Sequence, residues 1–98
     1  MPRLLAFVNI FVESPLMDYV VGELEKLPTM EELYEVTGEF DITCLVSARD
    51  IEELRDILVN RIMKVRGVKS TVTSVVMYSH MDSKRVRGIQ ASPETSRQ

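Results

Sequence analysis

The sequence predicts an α+β fold in which two helices cover one face of a four-stranded antiparallel sheet. Hydrophobic periodicity gives the element order β-α-β-β-α-β. The two strand-helix-strand halves are offset by 36 residues, the separation between the predicted helix starts at Ser14 and Asp50. The first and third strands are the most uniformly apolar, and right-handed crossovers place these two strands at the centre of the sheet. The pattern is that of the ferredoxin-like split βαβ arrangement.

The first strand is predicted over Leu4–Val12, a nearly continuous apolar run. A strand that is apolar on both faces must be covered on both. The first helix follows, with Ser14 as its N-cap and Pro15 as its first residue, and we expect it to end before Pro28. Its apolar stripe consists of Leu16, Val20, Leu24 and Leu27.

A hairpin is predicted to join the second and third strands. Residues 30–37 carry three glutamates, which is typical of an exposed edge strand. Residues 40–48 alternate in the manner of a largely buried strand. Gly38 and Glu39 are expected to form the tight turn between them.

The second helix is predicted to begin at Asp50, because Glu53 three residues later completes a capping-box pattern. It is expected to end at Gly67, with acidic residues in its first turn and basic residues in its last. The final strand is predicted over residues 68–81, which are β-branched and alternating. The apolar stripe of this helix consists of Ile51, Leu54, Leu58, Ile62 and Val65.

Composition limits the class of protein. The chain has 98 residues, of which 45% are hydrophobic, enough for one domain that buries about 65% of its unfolded surface. The single Cys44 allows no internal disulfide, and we expect it to be a small buried thiol. Zinc-type spacings, a signal peptide and a membrane span are not recognisable. We therefore expect a cytoplasmic protein that binds neither a metal nor a cofactor and has no membrane partner.

Charge divides the chain into a domain, residues 1–82, and a polar C-terminal extension, residues 83–98. The domain carries 8 Lys/Arg against 14 Asp/Glu, whereas the extension carries four basic residues against one glutamate. An acidic domain repels phosphate, so we expect no direct binding of nucleic acid. The extension is typical of a solvated tail, and a basic segment that contacts an acidic neighbour is the alternative.

The apolar residues of the sheet exceed what one protomer can hide. The first strand presents Phe7 and Phe11 to one side and Val8 and Ile10 to the other, while both helices must lie on one face. The same face of a second copy is the simplest cover for the other side. We therefore predict a two-fold dimer with sheet packed on sheet.

The common catalytic motifs are absent from the sequence. Nucleotide-binding glycine loops, HExxH and GxSxG do not occur, and His80 is the one histidine. A small dimeric α+β barrel enzyme, a cofactor-free oxygenase or isomerase that uses His80, is the alternative interpretation. A histidine exposed at a strand end is the simpler one, so we expect no enzyme activity.

Two segments have the chemistry to hold a small ligand, the TGEFD turn at 37–41 and the GVKSTVT run at 67–73. A glycine at position 38 lets a ligand approach the backbone. Asp41 offers a carboxylate to an ammonium group, and Thr71 and Thr73 offer two hydroxyls to a carboxylate. Together they are complementary to a zwitterionic amino acid, although ordinary turn residues and strand-forming threonines would give the same pattern.

These two segments, in order around a capped helix, resemble the effector-binding (RAM) domain of the Lrp/AsnC transcription regulators. VTGEFD is similar to the family's Thr-Gly-x-Tyr/Phe-Asp turn, and GVKSTVT to its Gly-Val-x-x-Thr-x-Thr run; the likeness extends from about Ala6 to Met77. The resemblance implies a ferredoxin-like fold, homodimers that associate through their sheets, and rings of four or five dimers, that is, octamers or decamers. It also implies an amino-acid effector held between neighbouring dimers.

The resemblance further implies which residues bind the effector and what the chain lacks. Phe40 stands where tyrosine is common, so a hydroxyl contact is lost there. Family regulators begin with a helix-turn-helix DNA-binding domain, whereas here the first sheet strand starts by Leu4. The resemblance thus implies a stand-alone module that modulates transcription or amino acid metabolism and could join assemblies of full-length regulators. The ligand-binding residues that it nominates are Gly38, Glu39, Phe40, Asp41, Thr71 and Thr73.

Overall fold

The computed structural model describes residues 3–81, and these residues form the predicted sheet and helices. The strand order is β2-β3-β1-β4, with every neighbouring pair antiparallel, so β1 and β3 are the central strands as predicted. The extension at 83–98 lies outside the described residues. The elements are β1 (Leu4–Val12), a 3₁₀ turn (Ser14–Leu16), α1 (Met17–Leu24), β2 (Met30–Glu35), β3 (Ile42–Ala48), α2 (Ile51–Asp56) continuing as a π-helical segment (Ile57–Ile62), and β4 (Val68–Val75).

The core lies between one face of the sheet and both helices. Cross-strand partners share a face, and Val8 is aligned with Cys44 on one side and Thr73 on the other. Every second residue of β1 and β3 therefore points toward the helices. The buried members of this core are Ala6, Val8, Ile10, Val12, Ile42, Cys44, Val46 and Ala48 from the strands, with Val20, Leu24, Leu54, Ile57 and Ile62 from the helices.

The first helix differs from its prediction at both ends. The Ser14 side chain makes no capping hydrogen bond, so its assignment as N-cap is wrong. The Leu16 N–H instead donates to the Glu13 carbonyl at 2.8 Å, and this tight turn precedes the α-helix. At the other end, Leu27 donates to the carbonyl of Leu24 at 3.2 Å. This three-residue bond tightens the last turn, and α1 ends four residues before Pro28.

The cap of the second helix is confirmed, and one residue of its predicted stripe is wrong. Asp50 Oδ1 accepts from the Glu53 N–H at 2.8 Å, while Glu53 Oε1 accepts from the Arg49 N–H at 2.6 Å. Ile51 is 59% exposed because the whole helix start, residues 49–52, faces solvent. The buried Ile57, absent from the predicted stripe, packs in the core instead. Beyond Asp56 the helix continues with π-helical hydrogen bonds, which join residues five positions apart. Its two buried residues, Ile57 and Ile62, are likewise five positions apart.

Three of the strands, β2, β3 and β4, are shorter than predicted, whereas β1 spans the predicted residues. The last bond of β4 to β1 runs from the Val76 N–H to the Leu5 carbonyl at 2.8 Å, because β1 itself begins at Leu4. The hairpin loop is also wider than the predicted two-residue turn, and the Val36 N–H closes it by donating to the Asp41 carbonyl at 3.0 Å. Neither helix within residues 3–81 is long and apolar enough to cross a membrane.

Candidate functional site

The hairpin loop between β2 and β3 leaves its backbone open to solvent. Gly38 has a φ of +122°, a conformation that favours glycine, and nothing lies within 4 Å of the position its Cβ would take. Thr37, Gly38 and Glu39 are all exposed. A ligand can therefore reach the peptide groups at the tip of this loop.

Asp41 ties the loop to the central strand. Its N–H donates to the Ile10 carbonyl at 3.0 Å, and its Oδ2 accepts from the Val12 N–H at 2.8 Å. The side chain thus replaces a ladder bond where the pairing of β1 with β3 ends. Within residues 3–81 its second oxygen, Oδ1, makes no hydrogen bond. This oxygen is available to accept from a ligand while the first holds β1.

Phe40 contributes its backbone to the loop surface and its ring to packing. The ring lies against that of Phe11, with centroids 5.0 Å apart and planes inclined at 55°. Such a tilted arrangement is favourable for aromatic pairs. The contact fixes the loop to β1 from a second direction.

Thr71 and Thr73 lie on the edge strand β4 and are half-buried. They are aligned with Ile10 and Val8, so both side chains lie on the face that the helices cover. Asp41, the residue just before β3, lies next to the other edge of β1. Two strand spacings separate the backbones of Asp41 and Thr71, about 9–10 Å. β1 lies between the two halves of the predicted site, and within residues 3–81 no hydrogen bond joins Asp41 to either threonine.

The remaining candidate groups have structural or peripheral positions. Burial raises the pKa of Cys44 to about 12, and its Sγ lies 3.5 Å from the Val8 carbonyl oxygen, so the thiol belongs to the core as expected. His80 lies five residues beyond the end of β4, exposed, with its ring edge-on to Tyr78 at 4.7 Å. In the described part of the chain, no three His, Cys, Asp or Glu side chains cluster to hold a metal ion.

The predicted site omits several side chains on the face of the sheet opposite the helices, called the open face hereafter. On it, the Thr43 hydroxyl donates to Asn9 Oδ1 at 2.6 Å, and the Ser47 hydroxyl donates to Glu31 Oε2 at 2.7 Å. In the sequence, the alternation that places Asn9 between Phe7 and Phe11 was the feature that could have pointed to a polar group on this face. The open face consists of Leu5, Phe7, Asn9, Phe11, Glu31, Glu32, Tyr34, Thr43, Leu45, Ser47, Ser70, Val72 and Ser74.

Comparison with known families matches residues 5–86 to the Lrp/AsnC ligand binding domain. The matched segment includes the glycine loop, Asp41 and both threonines. An uncharacterised HTH-type transcriptional regulator of Pyrococcus abyssi is 38% identical over 74 residues, which are 76% of this chain and 47% of the regulator. The chain therefore spans about half the length of that relative.

Solved structures share the fold. Escherichia coli AsnC is 27% identical with a TM-score of 0.75, covering 78% of this chain and 52% of that one. A feast or famine regulatory protein of Mycobacterium tuberculosis, solved in complex with L-methionine, is 28% identical with a TM-score of 0.67. That similarity covers 78% of this chain and 51% of the regulator.

Proposed function

The chain belongs to the Lrp/AsnC ligand-binding domain family, and from that premise we propose that it binds a free amino acid as an effector and assembles into oligomers, without catalysing a reaction. The observation that carries this proposal is Asp41, whose Oδ2 is held by the Val12 N–H while Oδ1 makes no hydrogen bond among residues 3–81. A fixed carboxylate beside accessible peptide groups is suited to the ammonium and main-chain groups of an amino acid. The L-methionine bound by the M. tuberculosis relative supports this class of ligand.

The proposed site is shared between protomers. In it, Asp41 accepts from the ligand ammonium, and the backbone of Gly38, Glu39 and Phe40 holds the ligand main chain. Thr71 and Thr73 of a neighbouring copy donate to the ligand carboxylate, since β1 lies between Asp41 and the threonines of the same copy. Ligand binding and assembly are therefore coupled, because the ligand completes its contacts only where two copies meet.

The open face supports the assembly. Phe7, Tyr34 and Val72 are exposed there as large apolar side chains, and Val72 is 47% exposed. Packing this face on a second copy would remove these apolar side chains from water. The larger assembly we propose is a ring of four or five such dimers, in which full-length regulators of the family could also take part.

The proposed biological role is control of transcription or amino acid metabolism in the cytoplasm. Membership of a transcription regulator family supports it, as does the class of ligand. The ligand would act by changing which assemblies form.

A thermal-shift screen of the twenty amino acids, followed by calorimetry on those that stabilise the chain, tests the binding. A ligand well above its Kd raises the free energy of unfolding by RT ln(1 + [L]/Kd). Asp41→Ala should weaken binding by about 1.5–3 kcal/mol, the range for a hydrogen bond to a charged group. Asp41→Asn keeps an oxygen for the Val12 N–H and removes the charge. This variant should therefore fold like the wild type but bind the amino acid more weakly than the wild type does.

Glu35→Ala, which removes an exposed carboxylate from β2, is the matched control and should leave the affinity unchanged. Wild-type affinity in both Asp41 variants would exclude this residue as the ammonium acceptor. Failure of all twenty amino acids to stabilise the chain would exclude the class of ligand.

A further inference from the structure

We propose that Lys69, near the start of β4, forms an ion pair with the carboxylate of the effector in the site shared between copies. The inference rests on the proposed function and adds a ligand-binding residue to that site. Lys69 acts beside Thr71 and Thr73, which belong to the same strand. Its positive charge makes a free α-carboxylate a requirement for the ligand.

The hairpin half of the site has no cation for the ligand carboxylate. Residues 30–41, which form β2 and the loop after it, carry five acidic residues and no lysine or arginine. Their carboxylates, those of Glu39 and Asp41 among them, attract an ammonium group and repel a carboxylate. Two neutral threonine hydroxyls also bind a carboxylate less strongly than a charged donor does. The cation must therefore come from the half of the site that carries the threonines.

The charges around the threonines have the opposite sign. Residues 57–81 contain no acidic residue and four basic ones, Arg61, Lys64, Arg66 and Lys69. All four are exposed, and none of them makes an ion pair within residues 3–81. β2 and β4 are the two outer strands of the sheet, so the glutamates of β2 and Lys69 lie at opposite edges of one copy. Two copies that bring these edges together gain attraction between unlike charges.

Among these basic residues, Lys69 is the one that β4 places beside the threonines. Val68 and Ser70 are aligned with consecutive residues of β1, so Lys69 between them is the extra residue of a β-bulge. A bulge of this kind re-aims a side chain locally. The alternation of the strand puts Lys69 on the same side as Thr71, and Cα atoms two positions apart in a strand are separated by about 6–7 Å.

The side chain of Lys69 is free to reach a ligand. Its ammonium group makes neither an ion pair nor a hydrogen bond within residues 3–81. A lysine has a flexible four-carbon stem and three donors, so it can follow a carboxylate that is also bound by the Thr71 hydroxyl. The α-carboxamide of the same amino acid keeps the ammonium group and has no negative charge. The site should therefore distinguish a free amino acid from its carboxamide.

Calorimetry with matched pairs of ligands tests the assignment. The twenty L-amino acids are screened by thermal shift, and the one that stabilises the chain most is titrated beside its own α-carboxamide. The wild type should bind the amino acid at least about 10-fold more tightly than the carboxamide, the effect of one hydrogen bond between charged groups. Lys69→Gln should bind the amino acid at least about 10-fold more weakly than the wild type. Its affinities for the two ligands should lie within about 3-fold of each other.

Two further variants separate the position of the charge from its presence. Lys69→Arg keeps a positive charge on the bulge and should retain the preference for the amino acid over the carboxamide. Lys64→Gln removes an exposed charge from the same basic segment and should bind both ligands like the wild type. Both lysines are exposed, so all three variants should keep the wild-type circular dichroism spectrum.

Wild-type affinity for the amino acid in Lys69→Gln would overturn the role of Lys69 and leave the proposed function intact. An equal loss of affinity for the amino acid and the carboxamide would overturn it as well, because Lys69 would then act on the association of copies and not on the carboxylate. A wild-type chain that none of the twenty amino acids stabilises would overturn both the role of Lys69 and the proposed function.

Discussion

Asp41 and Cys44 lie three residues apart along the chain, and their surroundings give them different tasks. Asp41 sits where the pairing of β1 with β3 ends, so one carboxylate oxygen completes the sheet and the other remains available to a ligand. Cys44 lies inside β3 with 1% of its surface exposed, against the Val8 carbonyl. The first residue is suited to binding, and the second to a core whose thiol stays neutral.

The buried thiol predicts a pH dependence of stability. Burial raises the pKa of Cys44 from 9.0 to about 12, so between these values the unfolded chain loses a proton that the folded chain keeps. The contribution is fully present below pH 9, and the free energy of unfolding falls as the pH rises from there. Urea titrations between pH 8 and the alkaline limit of folding should show this decline, and Cys44→Ala should decline less steeply.

Tyrosine and lysine side chains titrate in the same pH range. The test is therefore the difference between the wild type and Cys44→Ala in how steeply the free energy of unfolding falls with pH. Equal slopes for the wild type and Cys44→Ala would contradict the assignment. A thiol reagent offers a second measurement, since it should label Cys44 only when the chain unfolds.

At the scale of elements, two glycines in left-handed conformations join the strands and helices. Gly38 lies at the tip of the hairpin loop with open space around it. Gly67, with a φ of +102°, joins the second helix to β4 and accepts from the Glu13 N–H at 2.9 Å. A Cβ at position 67 would lie 2.8 Å from Val20 Cγ2 and 2.9 Å from Leu16 Cβ. Gly67 thus lets α1 approach the start of β4.

The two positions should respond differently to alanine. Gly38→Ala should lower the free energy of unfolding by about 1–2 kcal/mol, because alanine disfavours the left-handed backbone conformation at this position. Gly67→Ala adds overpacking against α1, about 1–3 kcal/mol more. Urea denaturation of the two variants gives both losses of stability directly. Equal losses would mean that α1 shifts freely away from residue 67.

At the scale of the molecule, the helices cover one face of the sheet and leave Phe7, Tyr34 and Val72 on the other. The core that the described residues bury lies mainly on the helix side of the sheet. We propose that association with a second copy covers the exposed apolar side chains of the open face. The position of β1 between Asp41 and the two threonines supports a ligand site shared by neighbouring copies.

A charge on the open face should therefore disrupt the dimer without unfolding the chain. We expect Val72→Glu to shift the sedimenting species toward the monomer, because the glutamate would be buried without a partner in the packed sheets. Val59→Glu, on the second helix, is the matched control and should sediment like the wild type. A dimer that tolerates Val72→Glu would place the contact elsewhere.

Sequence periodicity and capping patterns predicted four features of the fold: the order of the elements, the central position of β1 and β3, the two faces of β1 and the cap at Asp50. These features follow from local periodicity and local hydrogen bonding, which neighbouring residues carry. Three features emerged only in the folded chain: the end of β4 at Val75, the wider bonding beyond Asp56 and the placement of Asp41 and Thr71 on opposite sides of β1. These features depend on where other strands begin and on which strand lies between two others. Pairing register and packing between residues far apart in the chain determine both.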